Sequence, residues 1–216
     1  PLLVARELVA EHRDERVHVE STAVQTARRR VTLLLVIASI GASHAVMVSV
    51  MSMTPVHLTG HGATLVVVGV VISLHVAGMY ALSPVFGILA DRFGRVPTIL
   101  LGQAILAAAL VTASFGQDSP VAVTIGLILL GLGWSATTVA GSALLTEASS
   151  ESQRTRRQGL SDFTMSIVAA TGAILAGVIL GWIGYGGLAL LVGVAVIAVI
   201  ALAPLGRRPV TAVASR

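Results

Sequence analysis

A chain of 216 residues that is 55% hydrophobic and only 11% charged, with a mean hydropathy of +0.92, is too apolar for a water-soluble domain, where about a quarter of residues are charged. The absence of cysteine excludes a disulfide framework and a thiolate metal site. The formal charge of +4 comes from arginines grouped beside apolar runs rather than spread over a basic face, which argues against nucleic acid as a partner.

Residues 1–30 stand apart from the rest. The stretch ARELVAEHRDERVHVE mixes both charge signs, and Leu2, Val4, Leu8 and Val9 are spaced loosely for a helix face. This suits either a helix lying on the cytoplasmic membrane surface or a solvated linker. There is no short apolar core with a cleavage site, so it does not read as a signal peptide. Pro1 is not an initiator Met, and the chain is expected to begin inside a longer one.

Six apolar runs follow, at 31–53, 64–86, 97–116, 120–146, 162–182 and 186–205. Each approaches the roughly 20 residues that a spanning helix requires. Strand-like alternation is missing, which argues against an outer-membrane barrel. The expected architecture is an all-α membrane protein: a six-transmembrane-helix bundle over 31–206, preceded by the segment 1–30 and followed by a short polar tail, 207–216.

The fourteen basic residues are all arginines, and their positions orient the bundle. Arg28, Arg29 and Arg30 precede the first run, Arg92 and Arg95 separate the second and third, Arg154, Arg156 and Arg157 separate the fourth and fifth, and Arg207 and Arg208 follow the sixth. The loops between, HLTGHGA, GQDS and GYGG, contain none. The positive-inside rule therefore places both ends of the chain in the cytoplasm.

Small residues recur every fourth position in two runs: Gly133, Thr137 and Gly141 in the fourth, and Ala169, Ala173, Gly177 and Gly181 in the fifth. Such ladders let backbones approach closely where lipid gives no hydrophobic drive for association; a sliding surface against a moving partner is the alternative. His44 and His75 are the ionisable residues within the runs, each near mid-run, and are candidates for a proton or substrate path. Hydrogen bonding to a neighbouring helix is the simpler role for either. His44 shares a helical face with Ile40, Met47 and Met51, and the adaptable thioethers would suit a permissive cavity as well as ordinary packing.

His57 and His61 read as solvated loop residues, because Pro55, Gly60 and Gly62 argue against a helix that would bring them together on a metal. Asp162 is expected to cap the fifth helix and Glu147 to close the fourth, and either is placed to pair with Arg92 and Arg95. An intramembrane enzyme is disfavoured: Asp is absent from the run centres, and Ser43 points about 100° away from the adjacent His44.

The stretch GILADRFGR, from Gly87 to Arg95, interrupts the apolar sequence after the second run. Gly87 is expected to let a neighbour pack closely, Gly94 to permit the turn, and Asp91 to accept hydrogen bonds from arginines or from a nearby helix start. Gly87, Asp91, Arg92, Gly94 and Arg95 resemble the G-x-x-x-D-R-x-G-R signature of the major facilitator superfamily, found after the second helix of a six-helix half. Val96 and Pro97 stand where the family pattern usually continues with a further basic residue.

The resemblance covers Arg28 to Arg208 and implies one half of a twelve-helix fold. The fourth run has no Arg and the fifth no Pro, which is more similar to a carboxy-terminal half, whose partner would be a missing amino-terminal half. SPVFGILADRFGR looks most like bacterial drug-efflux members. The resemblance thus implies a multi-pass protein of a bacterial plasma membrane, without a cofactor, that exports small amphipathic molecules by alternating access, with protons as the coupling ion and the signature as a conformational latch. A non-transporting six-helix adaptor or a channel subunit is the alternative, although no ring of charge or filter loop is present.

Overall fold

The computed structural model describes residues 2–202, with side chains described from Gln25 onward except for Arg28. The expected tail, with Arg207 and Arg208, and the end of the sixth run lie outside the described residues. Among those described, the regular structure is helical: α1 (Leu2–Gly60), α2 (Leu65–Tyr80), α3 (Ser83–Phe93), α4 (Arg95–Phe115), α5 (Pro120–Glu147) and α6 (Arg154–Leu202), with a 3₁₀ turn at Glu151–Gln153.

Helix α1 joins the charged segment and the first run without a break, so residues 2–30 are neither a separate surface helix nor an irregular linker. It also runs past the expected end at residue 53. Pro55 lies inside it and costs one backbone hydrogen bond, while the hydroxyls of Thr54 and Thr59 bond back one turn, to the carbonyls of Val50 and Pro55. The stop comes at Gly62, whose φ of +83° a side chain would disfavour. There Ala63 N–H reaches Leu58 C=O and Gly62 N–H reaches Thr59 C=O, both at 3.0 Å, the Schellman pattern. Pro55, Gly60 and Gly62 therefore do not place His57 in a loop: His57 is helical and buried.

Thr64 caps α2 by accepting from Val67 N–H, and Ser119 caps α5 ahead of Pro120. The second run divides at Ala81 and Leu82, because Pro84 opens α3. As a result Gly87 to Arg92 lie on a helix rather than in a loop. The turn proper is Gly94 alone, at φ +101°.

Helix α6 begins eight residues before Asp162, so Asp162 does not cap it; its carboxylate accepts instead from Gln158 Nε2 at 3.4 Å. At 1.5 Å per residue α6 would be about 73 Å long, more than twice the hydrocarbon thickness. Gly184 breaks it, at φ 72° and ψ 179°. Among the described residues, five helical stretches are long and apolar enough to cross a bilayer. The last of them, Glu151–Leu202, contains the fifth expected run and the described part of the sixth, on either side of Gly184.

Helix α5 occupies the centre of the bundle. Leu127 and Ala136 are fully buried, and its glycines admit neighbouring backbones. A Cβ on Gly131 would come within 2.5 Å of the His75 carbonyl, one on Gly133 within 2.8 Å of the Gly102 carbonyl, and one on Gly141 within 2.7 Å of Ile40. The fourth-run ladder is thus a packing surface. The ladder of the fifth run packs only in part: Ala169 and Ala173 are partly buried and a Cβ on Gly177 would lie 4.0 Å from Met53, whereas one on Gly181 meets open space, and α6 meets α1 more closely through Gly172, against Ser49, and Thr164, against Gly41. Exposed Leu65, Val66, Ile174 and Trp182 give the outside the apolar surface that lipid requires.

Candidate functional site: an inner charge cluster and a ring cluster at mid-membrane

At the arginine-rich end of the bundle, Arg95 bridges two carboxylates. It donates Nη1 to Asp91 Oδ1 at 2.5 Å, and Nε and Nη2 to Glu147 Oε1 at 3.0 and 2.6 Å. The glycine turn makes this possible by reversing the chain between Asp91 and Arg95. Asp91 remains 70% exposed. Arg92 is exposed and makes no ion pair among the described residues. A Cβ on Gly87 would touch nothing within 4 Å, so among the described residues no neighbour packs closely there.

Two further arginines converge on the same end of α5. Arg29 Nε donates to Ala148 C=O at 2.7 Å, and Arg157 reaches the same carbonyl at 3.3 Å and Gln153 Oε1 at 2.5 Å. Cations at a helix C-terminus meet its free carbonyls and the negative end of its dipole. Arg29, Arg95 and Arg157 thus tie α1, α4 and α6 to α5.

At mid-depth the two histidines differ. His75 is fully buried and its Nδ1 lies 2.7 Å from Leu127 C=O. A carbonyl only accepts, so Nδ1 carries the proton and the ring tethers α2 to α5. His75 Nε2 has no partner. His44 is half-buried, and its Nδ1 accepts the indole N–H of Trp134 at 2.9 Å. The proton of neutral His44 therefore sits on Nε2. Trp134 in turn meets Tyr80 edge-on, with ring centroids 6.2 Å apart.

Met47 lies in the core, whereas Met51 is partly buried against it, as His44 is partly buried. Gln103, on α4, donates to Ser43 at 2.7 Å and Thr137 at 3.1 Å, joining three helices, while its Oε1 is buried without a partner. Sequence reasoning passed over Trp134, Tyr80 and Gln103 because none changes charge near neutral pH. Position was the available signal: His44, Tyr80 and Trp134 stand near the midpoints of the stretches Gln25–Gly60, Leu65–Phe93 and Pro120–Glu147.

The opposite end of the bundle is held by a third group. His57 stacks on Tyr185 with centroids 4.3 Å apart, and its Nε2 donates to Gln117 C=O at 2.7 Å. Thr54 and Tyr185 share a hydrogen bond of 2.9 Å, and Gly186 N–H donates to Gln117 Oε1 at 2.9 Å. The loop before α5 and the break in α6 are thereby fastened to α1.

Apolar spans around a glycine-laddered central helix, with arginines gathered at one end, define an integral membrane bundle of the transporter type. The sequence profile of the Major Facilitator Superfamily matches residues 27–215, and the chain belongs to that family. It is 34% identical over 187 residues to YddS, an MFS-type transporter of Bacillus subtilis, covering 86% of this chain and 43% of the relative. A second relative from the same organism, YdeG, is 32% identical over 195 residues, covering 90% and 45% respectively. The riboflavin transporter RfnT of Brucella anthropi is 32% identical over 148 residues, covering 65% of this chain and 36% of its own. The chain thus spans less than half the length of these relatives. Among solved structures, an auto-inhibited POT family peptide transporter shares the fold at a TM-score of 0.62 and 17% identity, over 82% of this chain and 38% of its own.

Proposed function

We propose that this bundle is one half of a secondary transporter, which exports small amphipathic compounds in exchange for protons by rocking against a second six-helix bundle. The observation that carries the reading is the inner cluster. Asp91 is held by Arg95 on one side and is otherwise open to solvent, and one helical turn earlier Gly87 leaves room for a neighbour that the described residues do not supply. A carboxylate contributes little to orientation, whereas an exposed one can accept hydrogen bonds from the helix end or arginine of a second bundle. Asp91, Arg92, Gly94 and Arg95 would then latch the inner ends together when the transporter faces outward.

The coverage of 43% and 45% of two relatives fits a working unit of two bundles, and the name of RfnT supports a small organic solute as cargo. Proton coupling falls to His44. Charging its ring places N–H groups on both nitrogens, so Trp134 loses its acceptor and is released. His75, tied to a carbonyl through its donor, serves as the tether between α2 and α5.

The test is dye transport by the whole protein in liposomes under an imposed pH gradient. The reading expects dye to move against the proton flux and to stop when the gradient is collapsed. Retention of dye under both gradient polarities overturns it.

A further inference from the structure

Three different helices bring His44, Tyr80 and Trp134 together at mid-membrane depth, and each is partly or largely accessible. That placement opposes the usual preference of Trp and Tyr for the membrane–water interface. The hydroxyl of Tyr80, which is 60% exposed, has no partner among the described residues. A phenol directed into hydrocarbon would carry the desolvation cost of an unpaired polar group. An opening that admits solutes relieves this cost; lipid does not.

We propose that His44, Tyr80 and Trp134 form one wall of a binding site for an uncharged, planar aromatic solute that bears a hydrogen-bond acceptor. The proposal rests on the transporter reading, in which a second bundle closes the site. Each part of this chemistry follows from a distinct feature. The planes of Tyr80 and Trp134 meet at 78°, making a corner in which a flat ring stacks on one face and meets the other by its edge. The indole N–H is already engaged by His44, so Trp134 offers its face rather than its donor. His44 Nε2 carries the ring proton and has no partner among the described residues, so the free polar function of the pair is a donor.

Charge is excluded by what surrounds the wall. Residues 31–90 and 119–146, which include the membrane parts of the three contributing helices, contain no Asp, Glu, Lys or Arg. While His44 is neutral, as in the binding measurement made above its titration, an ionic solute would meet no counter-charge on this wall and would have to shed water without compensation.

The experiment is equilibrium dialysis of the whole protein in nanodiscs, with empty nanodiscs as the blank and three probes of similar size. Coumarin is neutral, flat and has a carbonyl acceptor; naphthalene is flat without an acceptor; coumarin-3-carboxylate is charged. Coumarin is expected to bind about tenfold or more tighter than either of the others. Trp134→Leu and Tyr80→Leu should each weaken coumarin about tenfold, the scale of one lost ring contact. His44→Leu should bring coumarin down to the naphthalene level, and His44→Gln, which keeps a donor, should restore the difference.

Trp134→Phe keeps a ring without the bond to His44 and should retain most coumarin binding, which guards against a Leu variant that fails to fold. Equal binding of all three probes, or coumarin affinity unchanged by both Leu variants, overturns the proposal. Binding requires no gradient and no turnover. Coumarin selectivity in a protein that moves no dye would therefore keep the wall and discard the transporter reading, and dye transport without selectivity would do the reverse.

Discussion

Arg95 and Glu147, far apart in the chain, are joined by two hydrogen bonds from one guanidinium to a single carboxylate oxygen, at 3.0 and 2.6 Å. The pair ties the first turn of α4 to the last turn of α5, and through Arg95 it holds Asp91 on α3. Both carboxylates are largely exposed, so the group contributes at most about 1 kcal/mol per pair to stability. Its arrangement matters more for what Asp91 can still bind.

In the whole protein, Asp91→Asn should insert and fold as the parent does yet slow dye export about tenfold or more, because the amide loses the charge that a second bundle would meet. Membrane abundance and export rate, measured on the same cells, separate the two effects. Normal export kinetics would remove the latch.

His44→Ala should flatten the pH dependence of export, since no ring remains to lose its bond to Trp134 on protonation. His75→Ala should keep the pH profile and lower thermal stability, by about 1–3 kcal/mol for the lost tether and the cavity left by the buried ring. Rate–pH curves and melting in detergent distinguish the two histidines. A flattened profile in His75→Ala alone would reverse their assignment.

Gly133→Ala places a methyl group 2.8 Å from the Gly102 carbonyl and should destabilise the bundle by about 1–3 kcal/mol, the usual cost of overpacking. Gly181→Ala faces open space and should leave the melting temperature unchanged or slightly raised. Equal effects at both positions would contradict the packing described for α5.

Tyr185→Phe removes one hydrogen bond to Thr54 and should cost about 1 kcal/mol. His57→Ala removes both the stacked ring and the donor to Gln117, and should cost clearly more. Thermal unfolding of the two variants checks the order, and the reverse order would remove His57 from the outer fastening.

Apolar runs and arginine placement made the bundle legible, because both are properties of composition along the chain. Helix ends were less so. Gly62 read as part of a loop, although the Schellman closure at Gly62 and Ala63 is what allows α1 to continue through His57. Pro84 divided a run that looked continuous, and Gly184 divides a helix with a single residue. Gly87 read as a close-packing site because a small residue announces space without saying who fills it. The ring cluster was half visible: His44 stood out as ionisable, but its bond to Trp134 joins residues ninety positions apart, and such pairings exist only once helices pack.

Helix α5 carries both the inner carboxylate and the indole of the ring cluster. Glu147 and Trp134 are about 20 Å apart along its axis, with the glycine ladder holding the segment between them against its neighbours. A displacement at the Glu147 end therefore travels as the motion of one stiff rod. If the bundle rocks, the mid-membrane wall moves with the inner gate as oar blade moves with handle, without a relay of side chains between them.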